Sequence, residues 1–478
     1  MPRYPAFVGG SATSQSLIAD GEQTINWYVE QMTGEAAASK TALYPTPGFQ
    51  SFILAGQITD LGTRAGISIN GRTFVVVGTG FYELFGSRLA TKRGTVAQDN
   101  NLAQIVSNGV GNQLLIGSGG NAYCFELATN TLTQVLTNEV TQVGMLNSTF
   151  IAFNAALSKI RISDLNDGLS WDPTQFAQRS AQPDPWKAMI VNSPDIFLIG
   201  EQTGDVWYDA GTLPFPLAPR QGLTLGYGIV ASFSLAFTGG VGFWLTQNKD
   251  GAGMVVQTRG YAPQKISTPE LDTAIARYQR DAIITDAEAL VYQDQGHTFY
   301  VLRFPAANAT WAYDLTTGSW AERGKWNASQ NRFDVWWPRV HLYAFGSHLV
   351  GDAATGTIAA MDVTYPSEAD GSAIRRLRRG APLVNEQRRM PIHRFELLLE
   401  AGLGVQSGQG SDPQVMFRGS SDGGKTWGTQ RQASAGAVGK YSTRVFWTRL
   451  GSPRLWVPEV TVSDLIINWR IIDAFLNN

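Results

Sequence analysis

The sequence predicts an all-β protein whose central part is a β-propeller. A hairpin pattern recurs along the chain, and the copies follow one another at intervals of roughly 36 to 58 residues. The composition agrees with this, because 51 Gly, 21 Pro and 11% aromatic residues stand against only 16% charged residues in 478. Such a chain is typical of a turn-rich β protein and not of a helical one.

The repeated unit is an apolar triplet, a glycine, a loose polar turn and an aromatic restart, as in residues 114–123. This pattern is typical of two antiparallel strands joined by a short turn. Clear copies lie in residues 75–82, 197–208 and 348–358, and looser ones in 150–162, 243–256 and 290–302. A period of about 40 to 50 residues indicates the radial sheets of a propeller, so we expect about six to eight blades.

The repeats divide the chain into three parts. Residues 1–54 lack the hairpin pattern and are expected to form an extended N-terminal arm with one strand, closed by Pro45 and Pro47. Residues 55–368 carry the propeller. Residues 369–478 contain further strand-like runs, which predict a C-terminal β-sandwich-like region or strands that complete the propeller.

The sequence predicts one helix, which begins after Thr268. Thr268 can cap the helix, Pro269 suits its first turn, and Leu271, Ile275 and Tyr278 share one face. We expect this helix to cover the edge of a blade.

Charge and cysteine content restrict the functions that are open to the chain. The formal charge of −2 is unlike that of a protein that grips nucleic acid phosphates tightly. Cys124 is the only cysteine, so no intrachain disulfide can form, and we expect a reducing compartment. Residues 221–248 carry no charged side chain, but glycines interrupt them repeatedly, so we expect buried strands and no stable membrane insertion.

Residues 420–427 fit the Asp-box pattern of a hairpin turn. In this pattern the aspartate accepts hydrogen bonds from turn amides, a glycine adopts a positive φ and the tryptophan packs beneath the turn. The predicted Asp-box residues are Ser420, Asp422, Gly424, Thr426 and Trp427. The expected role is structural, because Asp-boxes also occur in proteins without enzymatic activity.

Other motifs resemble functional sites without the structural context that those sites need. Residues 419–423 match a nucleophile elbow and residues 117–122 a dinucleotide fingerprint, but neither is followed by a helix. Residues 164–168 resemble the start of a calcium loop but lack the distal glutamate. The four histidines have no ligand spacing. We therefore predict no catalytic, cofactor-binding or metal-binding residues.

Two enzymatic or binding hypotheses stay open beside a structural role. A sialidase-like glycosidase acting on host surface polysaccharide would need paired carboxylates beside arginines over the central pore. A soluble sugar-binding or protein-binding propeller is the other hypothesis.

The densest basic cluster comprises Arg375, Arg376, Arg378 and Arg379. It is a candidate contact for DNA or for an acidic partner, and the alternative is a solvated linker between two β domains.

Several stretches, in order along nearly the whole chain, resemble one family. They are residues 5–9, 26–30, 46–48, 162–167, 204–211, 296–302, 311–314 with 317–320, and 422–427. The chain resembles the packaged-DNA stabilisation protein, also called the tail hub or nozzle, of P22-like short-tailed bacteriophages.

The resemblance implies a structural virion protein that is not an enzyme. It implies a homohexamer below the portal and its adaptor ring, which retains packaged DNA, forms the ejection conduit and docks tail spikes or fibres and a tail needle or plug. The duplex would pass through the channel without sequence specificity. We expect assembly in the host bacterial cytoplasm and a final location in the tail of the virion.

Overall fold

The computed structural model describes residues 2–35, 37–57, 61–179, 184–248 and 250–477. Seven antiparallel four-stranded units surround a central axis, and a β-sandwich adjoins two of them. The prediction of an all-β propeller with a C-terminal sandwich-like region is thus confirmed, and the number of blades is seven.

Residues of the N-terminal segment form five strands that enter three different sheets. These strands are β1 (Ala12–Thr13), β2 (Gly21–Ile25), β3 (Trp27–Gln31), β4 (Thr41–Pro45) and β5 (Gly48–Leu54). The segment is therefore paired within the sheets of the fold and does not extend away from it as a free arm.

The blades follow one another along the chain, and their strands have the following bounds. Blade 1 contains β6 (Thr63–Ile69), β7 (Arg72–Val77), β8 (Gly80–Phe85) and β9 (Leu89–Thr95). Blade 2 contains β10 (Gln104–Ser107), β11 (Gln113–Ser118), β12 (Asn121–Glu126) and β13 (Thr131–Leu136). Blade 3 contains β14 (Gln142–Leu146), β15 (Thr149–Asn154), β16 (Lys159–Ile162) and β17 (Phe176–Gln178). Blade 4 contains β18 (Trp186–Asn192), β19 (Asp195–Gly200), β20 (Gly204–Asp209) and β21 (Leu217–Leu225).

Blade 5 follows a short 3-10 helix at Ser232–Ser234 and contains β22 (Ala236–Thr238), β23 (Val241–Gln247), β24 (Gly253–Arg259) and β25 (Ala262–Lys265). Blade 6 contains β26 (Glu288–Asp294), β27 (His297–Phe304), β28 (Ala309–Asp314) and β29 (Ser319–Glu322). A small hairpin of β30 (Lys325–Asn327) and β31 (Arg332–Asp334) leads to blade 7, which contains β32 (Pro338–Ala344), β33 (Ser347–Asp352) and β34 (Thr357–Asp362).

Blade 7 takes its fourth strand from the other end of the chain. Strand β5 pairs antiparallel with β34, with Phe49 opposite Met361, so the N-terminal segment and not the C-terminal region completes the propeller. The innermost strands β32 and β6 are then neighbours, which closes the ring between blades 7 and 1. A propeller without this strand would leave β34 as an open sheet edge.

The repeated hairpin of the sequence corresponds to the second and third strands in six of the seven blades. In blade 6 the pattern that begins at residue 290 lies on the first and second strands, β26 and β27. This displacement by one strand explains why the last interval of the repeat is the longest.

The predicted helix is present as α1 (Pro269–Asp281). The Thr268 side chain accepts a hydrogen bond from the Leu271 backbone N–H, and Leu271 and Ile275 are buried. Ile275 lies against Gly253 of β24, so the helix covers blade 5.

The C-terminal strands are β35 (Arg376–Arg379), β36 (Leu383–Val384), β37 (Arg394–Leu399), β38 (Gln414–Ser420), β39 (Arg431–Ser434), β40 (Val445–Thr448), β41 (Leu455–Val462) and β42 (Ile471–Asn477). One sandwich sheet has the order β2, β35, β41, β38, β39 and continues into blade 6, because β2 pairs parallel with β29 at Ile25 and Glu322. The other sheet has the order β3, β4, β42, β37, β40. Propeller and sandwich therefore share a continuous sheet.

Strand β3 contributes to both domains, because successive side chains of a strand point to opposite faces. Trp27 and Val29 lie in the sandwich core. Tyr28 lies in a different apolar cluster, among residues of blades 6 and 7 such as Phe299 and Met361.

Arg378 ties the N-terminal segment to β35 from a fully buried position. Its Nε donates to the Phe7 carbonyl oxygen. Its Nη1 donates to the Gly10 carbonyl oxygen and to Thr24 Oγ1, and its Nη2 donates to the Ala6 carbonyl oxygen and to the Glu22 carboxylate. Each of the five N–H groups of the guanidinium thus has an acceptor.

We predict that Arg378→Met lowers the free energy of unfolding by about 3–5 kcal/mol, because it leaves the Glu22 carboxylate and several carbonyl oxygens without their donor. Urea unfolding followed by far-ultraviolet circular dichroism measures this change. Arg388→Met is the matched control, since that side chain is 78% exposed. Equal stability of the two variants would contradict the assigned role of Arg378.

Candidate interaction surfaces

The centre of the propeller contains a cavity of about 630 Å³ lined by innermost strands of the blades. Most of its lining is small or apolar, as at Ala65, Ile105 and Val143, and it includes no carboxylate. Burial and the neighbouring His348 lower the pKa of His341, which also lines it, to about 4. This cavity therefore does not provide the paired carboxylates that the glycosidase hypothesis requires.

A polar pocket of about 410 Å³ does bring Asp286, Glu288, Arg303 and Arg339 together. Glu288 is only 5% exposed and is ion-paired with both arginines, with 2.8 Å between its Oε2 and Nε of Arg339. The two ion pairs occupy both oxygens of the Glu288 carboxylate and connect it to two neighbouring strands. This cluster is thus built for holding β26, β27 and β32 together.

Residues 376–379 of the basic segment form strand β35, which lies between β2 and β41 in the shared sheet, so the segment is not a solvated linker. Arg376 and Arg378 are buried, while Arg375 and Arg379 are partly exposed. Arg376 Nη2 donates to the Thr46 carbonyl oxygen over 3.1 Å, and burial lowers its pKa to about 10.

The two partly exposed arginines of this segment stack on tryptophans. The Arg375 guanidinium lies 4.1 Å from the ring centre of Trp326, and that of Arg379 lies 4.9 Å from the ring centre of Trp427. Contact of these side chains with DNA or with a partner stays a prediction.

The turn at residues 420–427 has its hydrogen bonds centred on Asp422. Its carboxylate accepts from the Thr426 hydroxyl over 2.6 Å and from the Lys425 and Thr426 backbone N–H groups. Hydrogen bonds from Thr426 lower the pKa of Asp422 well below its usual range. Ser420 Oγ accepts a hydrogen bond from the Gly424 N–H over 2.8 Å, so side chains at two positions of the turn hold its backbone.

The ring of Trp427 connects this turn to the basic segment. The Arg418 guanidinium on β38 lies 4.7 Å from the ring centre, and the Arg379 guanidinium on β35 lies 4.9 Å from it. Both arginines also donate hydrogen bonds to Glu459, which is 1% exposed. No spacing in the sequence links residues 379, 427 and 459, so this cluster is not predictable from the sequence.

His297 bridges the propeller and the sandwich. Its Nδ1 lies 2.8 Å from Asp314 Oδ2 in blade 6, and its Nε2 lies 3.0 Å from Glu30 Oε2 on β3. The hydrogen bond with Asp314, and then that with Glu30, raise the pKa of His297 against the opposing effect of burial. An imidazolium satisfies both carboxylates at once, whereas a neutral ring donates to only one.

We predict that this bridge weakens as the pH rises. A histidine whose pKa is raised in the folded state contributes its full stabilisation below the unfolded value of about 6.5, and the contribution disappears as the pH passes the folded value. His297→Gln should therefore remove part of the loss of stability between about pH 6 and pH 9, as measured by urea unfolding across that range.

The comparison must be made between variants, because burial also raises the pKa of Glu368 to about 7 and gives a pH dependence of the same sign. The exposed His393 supplies the control His393→Gln. If His297→Gln and wild type lose stability in parallel over this range, the bridge does not carry the pH dependence.

Within the described part of the chain, no helix has the length and apolarity that crossing a membrane requires. The described residues also contain no group of three or more His, Cys, Asp or Glu side chains placed to hold a metal ion.

The architecture defines a propeller fused to a β-sandwich, a class of protein that presents loops and sheet edges to its partners. Family models of the bacteriophage P22 Gp10 β-propeller and β-sandwich match residues 28–365 and 376–458, respectively. The chain belongs to this bacteriophage P22 Gp10 family, which confirms the resemblance seen in the sequence. It is a structural protein of the phage tail and a component of the virion.

The solved structures with a similar fold share little sequence with this chain. PorZ, a bacterial surface component of the type-IX secretion system of Porphyromonas gingivalis, is 12% identical with a TM-score of 0.38, over 73% of this chain and 45% of PorZ. The N-terminal domain of Nup159 is 10% identical with a TM-score of 0.39, over 74% of this chain and 98% of that domain.

An oligogalacturonate lyase in complex with manganese is 10% identical with a TM-score of 0.40, over 71% of this chain and 97% of the lyase. The chain thus spans less than half of PorZ, and none of these similarities carries a functional argument. A comparison with curated proteins gave no match.

Proposed function

We propose that the chain is the subunit of a homohexameric tail nozzle that closes the channel of the portal and its adaptor ring. In this role it retains the packaged DNA and later forms the conduit for its ejection. The observation that carries the proposal is the match of both domains, in order, to the P22 Gp10 family. The function is one of assembly and not of catalysis.

The rigidity of the subunit supports this proposal. The sheet that runs from blade 6 into the sandwich, strand β3 with its two buried faces, and the buried Arg378 all connect the domains. A body that must retain packaged DNA and also dock other components benefits from such firm connection between its domains. The turns and loops at the blade ends supply surfaces for the adaptor ring, for tail spikes or fibres, and for a tail needle or plug. Assembly takes place in the host bacterial cytoplasm.

We predict that the purified chain forms a closed ring with the mass of six copies, alone or on the adaptor ring, because contacts between two different faces give a closed ring when each contact repeats a rotation of about 60°. Native mass spectrometry and electron microscopy measure this. A monomer that persists in the presence of the adaptor ring would contradict the proposal. Release of sugar from host polysaccharide by the same preparation would favour the glycosidase hypothesis.

We also predict that the ring binds duplex DNA weakly and without sequence preference. A conduit must let the polyanion pass, and the formal charge of −2 per chain suits this. The slope of log K against log salt should correspond to fewer than about three phosphate contacts per subunit. Arg375→Ala with Arg379→Ala should lower that slope if these side chains contact DNA. A steep slope in both the wild-type and the variant ring would mean that the ring binds DNA tightly through its charges, and it would contradict the prediction.

A further inference from the structure

Charge is distributed unevenly between the two domains. Residues 369–478 carry 15 of the 37 basic side chains and 9 of the 39 acidic ones, which gives a formal charge of +6. Residues 1–368 therefore carry −8. The net charge of the chain is near zero because a basic C-terminal region offsets an acidic propeller. Such asymmetry favours contact between the basic region of one copy and the acidic region of another.

The basic charge is concentrated around a groove of about 590 Å³ between the hairpin β38–β39 and residues 449–453. We name it the arginine groove and define it by Trp427, Arg431, Arg449, Leu450 and Pro453. Both arginines are exposed, and within the described part of the chain neither has an ion-pair partner.

The rim of the arginine groove is basic as well. Lys425, Arg389 and Arg454 are exposed beside it and form no ion pair with described residues. The Met390 N–H donates to the Pro453 carbonyl oxygen, which places Arg389 next to the groove. The groove therefore offers positive charge and an apolar wall to an acidic, apolar protrusion.

The propeller carries a surface of that kind on blades 2 to 4. Val110, Leu165 and Leu213 are 58%, 68% and 92% exposed. Asp164 and Asp209 flank them and have no ion-pair partner among the described residues. We name this surface the leucine patch. Residues 94–158, which include Val110, contain no lysine or arginine.

Contacts between the loops make the leucine patch one continuous surface. Gly109 lies against the side chain of Ser148, and the Ser148 carbonyl oxygen accepts from the Asn166 N–H. Asn147 Nδ2 then donates to Asp209 Oδ2 over 2.7 Å, which joins blade 3 to blade 4. Exposed leucines held on a firmly bonded loop favour a docking role over local packing.

The two surfaces lie on opposite sides of the subunit. The sandwich adjoins blades 6 and 7, and β39 is the strand furthest from blade 6 in the shared sheet. Blade 3 is three and a half blades away from that junction, or about 180° at the blade spacing of a seven-bladed propeller. Two different surfaces that do not overlap are what a heterologous, head-to-tail contact requires.

We propose that the arginine groove of one copy receives the leucine patch of the next copy, and that this contact joins the subunits of the ring. The inference rests on the proposed function and adds to it the two surfaces in contact. Leu165 and Leu213 meet the apolar wall, while Asp164 and Asp209 face Arg431 and Arg449.

A charge-swap experiment tests the contact. The groove variant is Arg431→Glu with Arg449→Glu, and the patch variant is Asp164→Lys with Asp209→Lys, at the two carboxylates that flank the exposed leucines. Each variant should weaken assembly at least about tenfold, because unlike charges become like charges. The chain with all four changes restores opposite charges and should regain assembly.

Mass photometry over a concentration series measures the assembly constant, with circular dichroism to verify folding. Arg277→Glu with Arg280→Glu on α1 is the matched control and should assemble like wild type, since both side chains are exposed on a helix that packs against blade 5 and belongs to neither surface. Unchanged assembly of the groove and patch variants, or no recovery in the fourfold variant, overturns the inference while the ring stands. A wild-type chain that remains monomeric with the adaptor ring overturns the proposed function as well.

Crosslinking gives a second measurement that does not depend on weakening the ring. Leu165→Cys and Ser452→Cys in one chain, treated with a bifunctional maleimide, should give a ladder of covalent oligomers. Either substitution alone should give no crosslinked product, because the native Cys124 is buried and burial raises its pKa to about 12. Crosslinking by a single variant with itself, or no ladder from the double variant, contradicts head-to-tail contact.

Discussion

The alternation of side chains along strand β3 is the constraint on which the arrangement of the two domains depends. Trp27 and Val29 belong to the sandwich core, and Tyr28 between them belongs to the cluster at blades 6 and 7. A shift of one residue in the register would move a tryptophan out of one core and a tyrosine out of the other. The strand thus has a single register in which both domains are packed, and that register sets the position of the sandwich against the propeller.

The N-terminal segment reinforces this position with polar contacts. Asn26 lies between β2 and β3 with φ of 60°, and its Nδ2 donates to the carbonyl oxygens of Gly324 and Arg375. A left-handed asparagine allows the chain to change sheets at this point. Strand β2 then joins blade 6 to the sandwich, while β5 completes blade 7. Because these contacts join residues about 300 positions apart, β2 and β5 can pair with blades 6 and 7 only once the chain as far as residue 362 is available.

The sequence predicted well those features that arise from neighbouring residues. The blade hairpins and the helix after Thr268 depend on short-range patterns of apolar residues, glycines and caps, and they occur where these patterns stand. The long-range features were not predictable in the same way. Nothing near residues 48–54 shows that they pair with residues 357–362, and the run of arginines at 375–379 carries no sign that Arg376 and Arg378 are buried. Their burial follows from acceptors supplied by distant residues such as Phe7 and Thr46.

Rigid connection between the domains has a direct consequence for assembly. In the ring that we propose, every contact must repeat the same rotation of about 60°, so an angular error at one contact recurs at each of the others. A flexible joint between sandwich and propeller would add its own variation to every step and would favour open chains over closed rings. The shared sheet, the His297 bridge and the buried Arg378 remove that freedom before any second copy binds. The contacts that fix the two domains in one orientation therefore also fix the angle between neighbouring subunits in the ring.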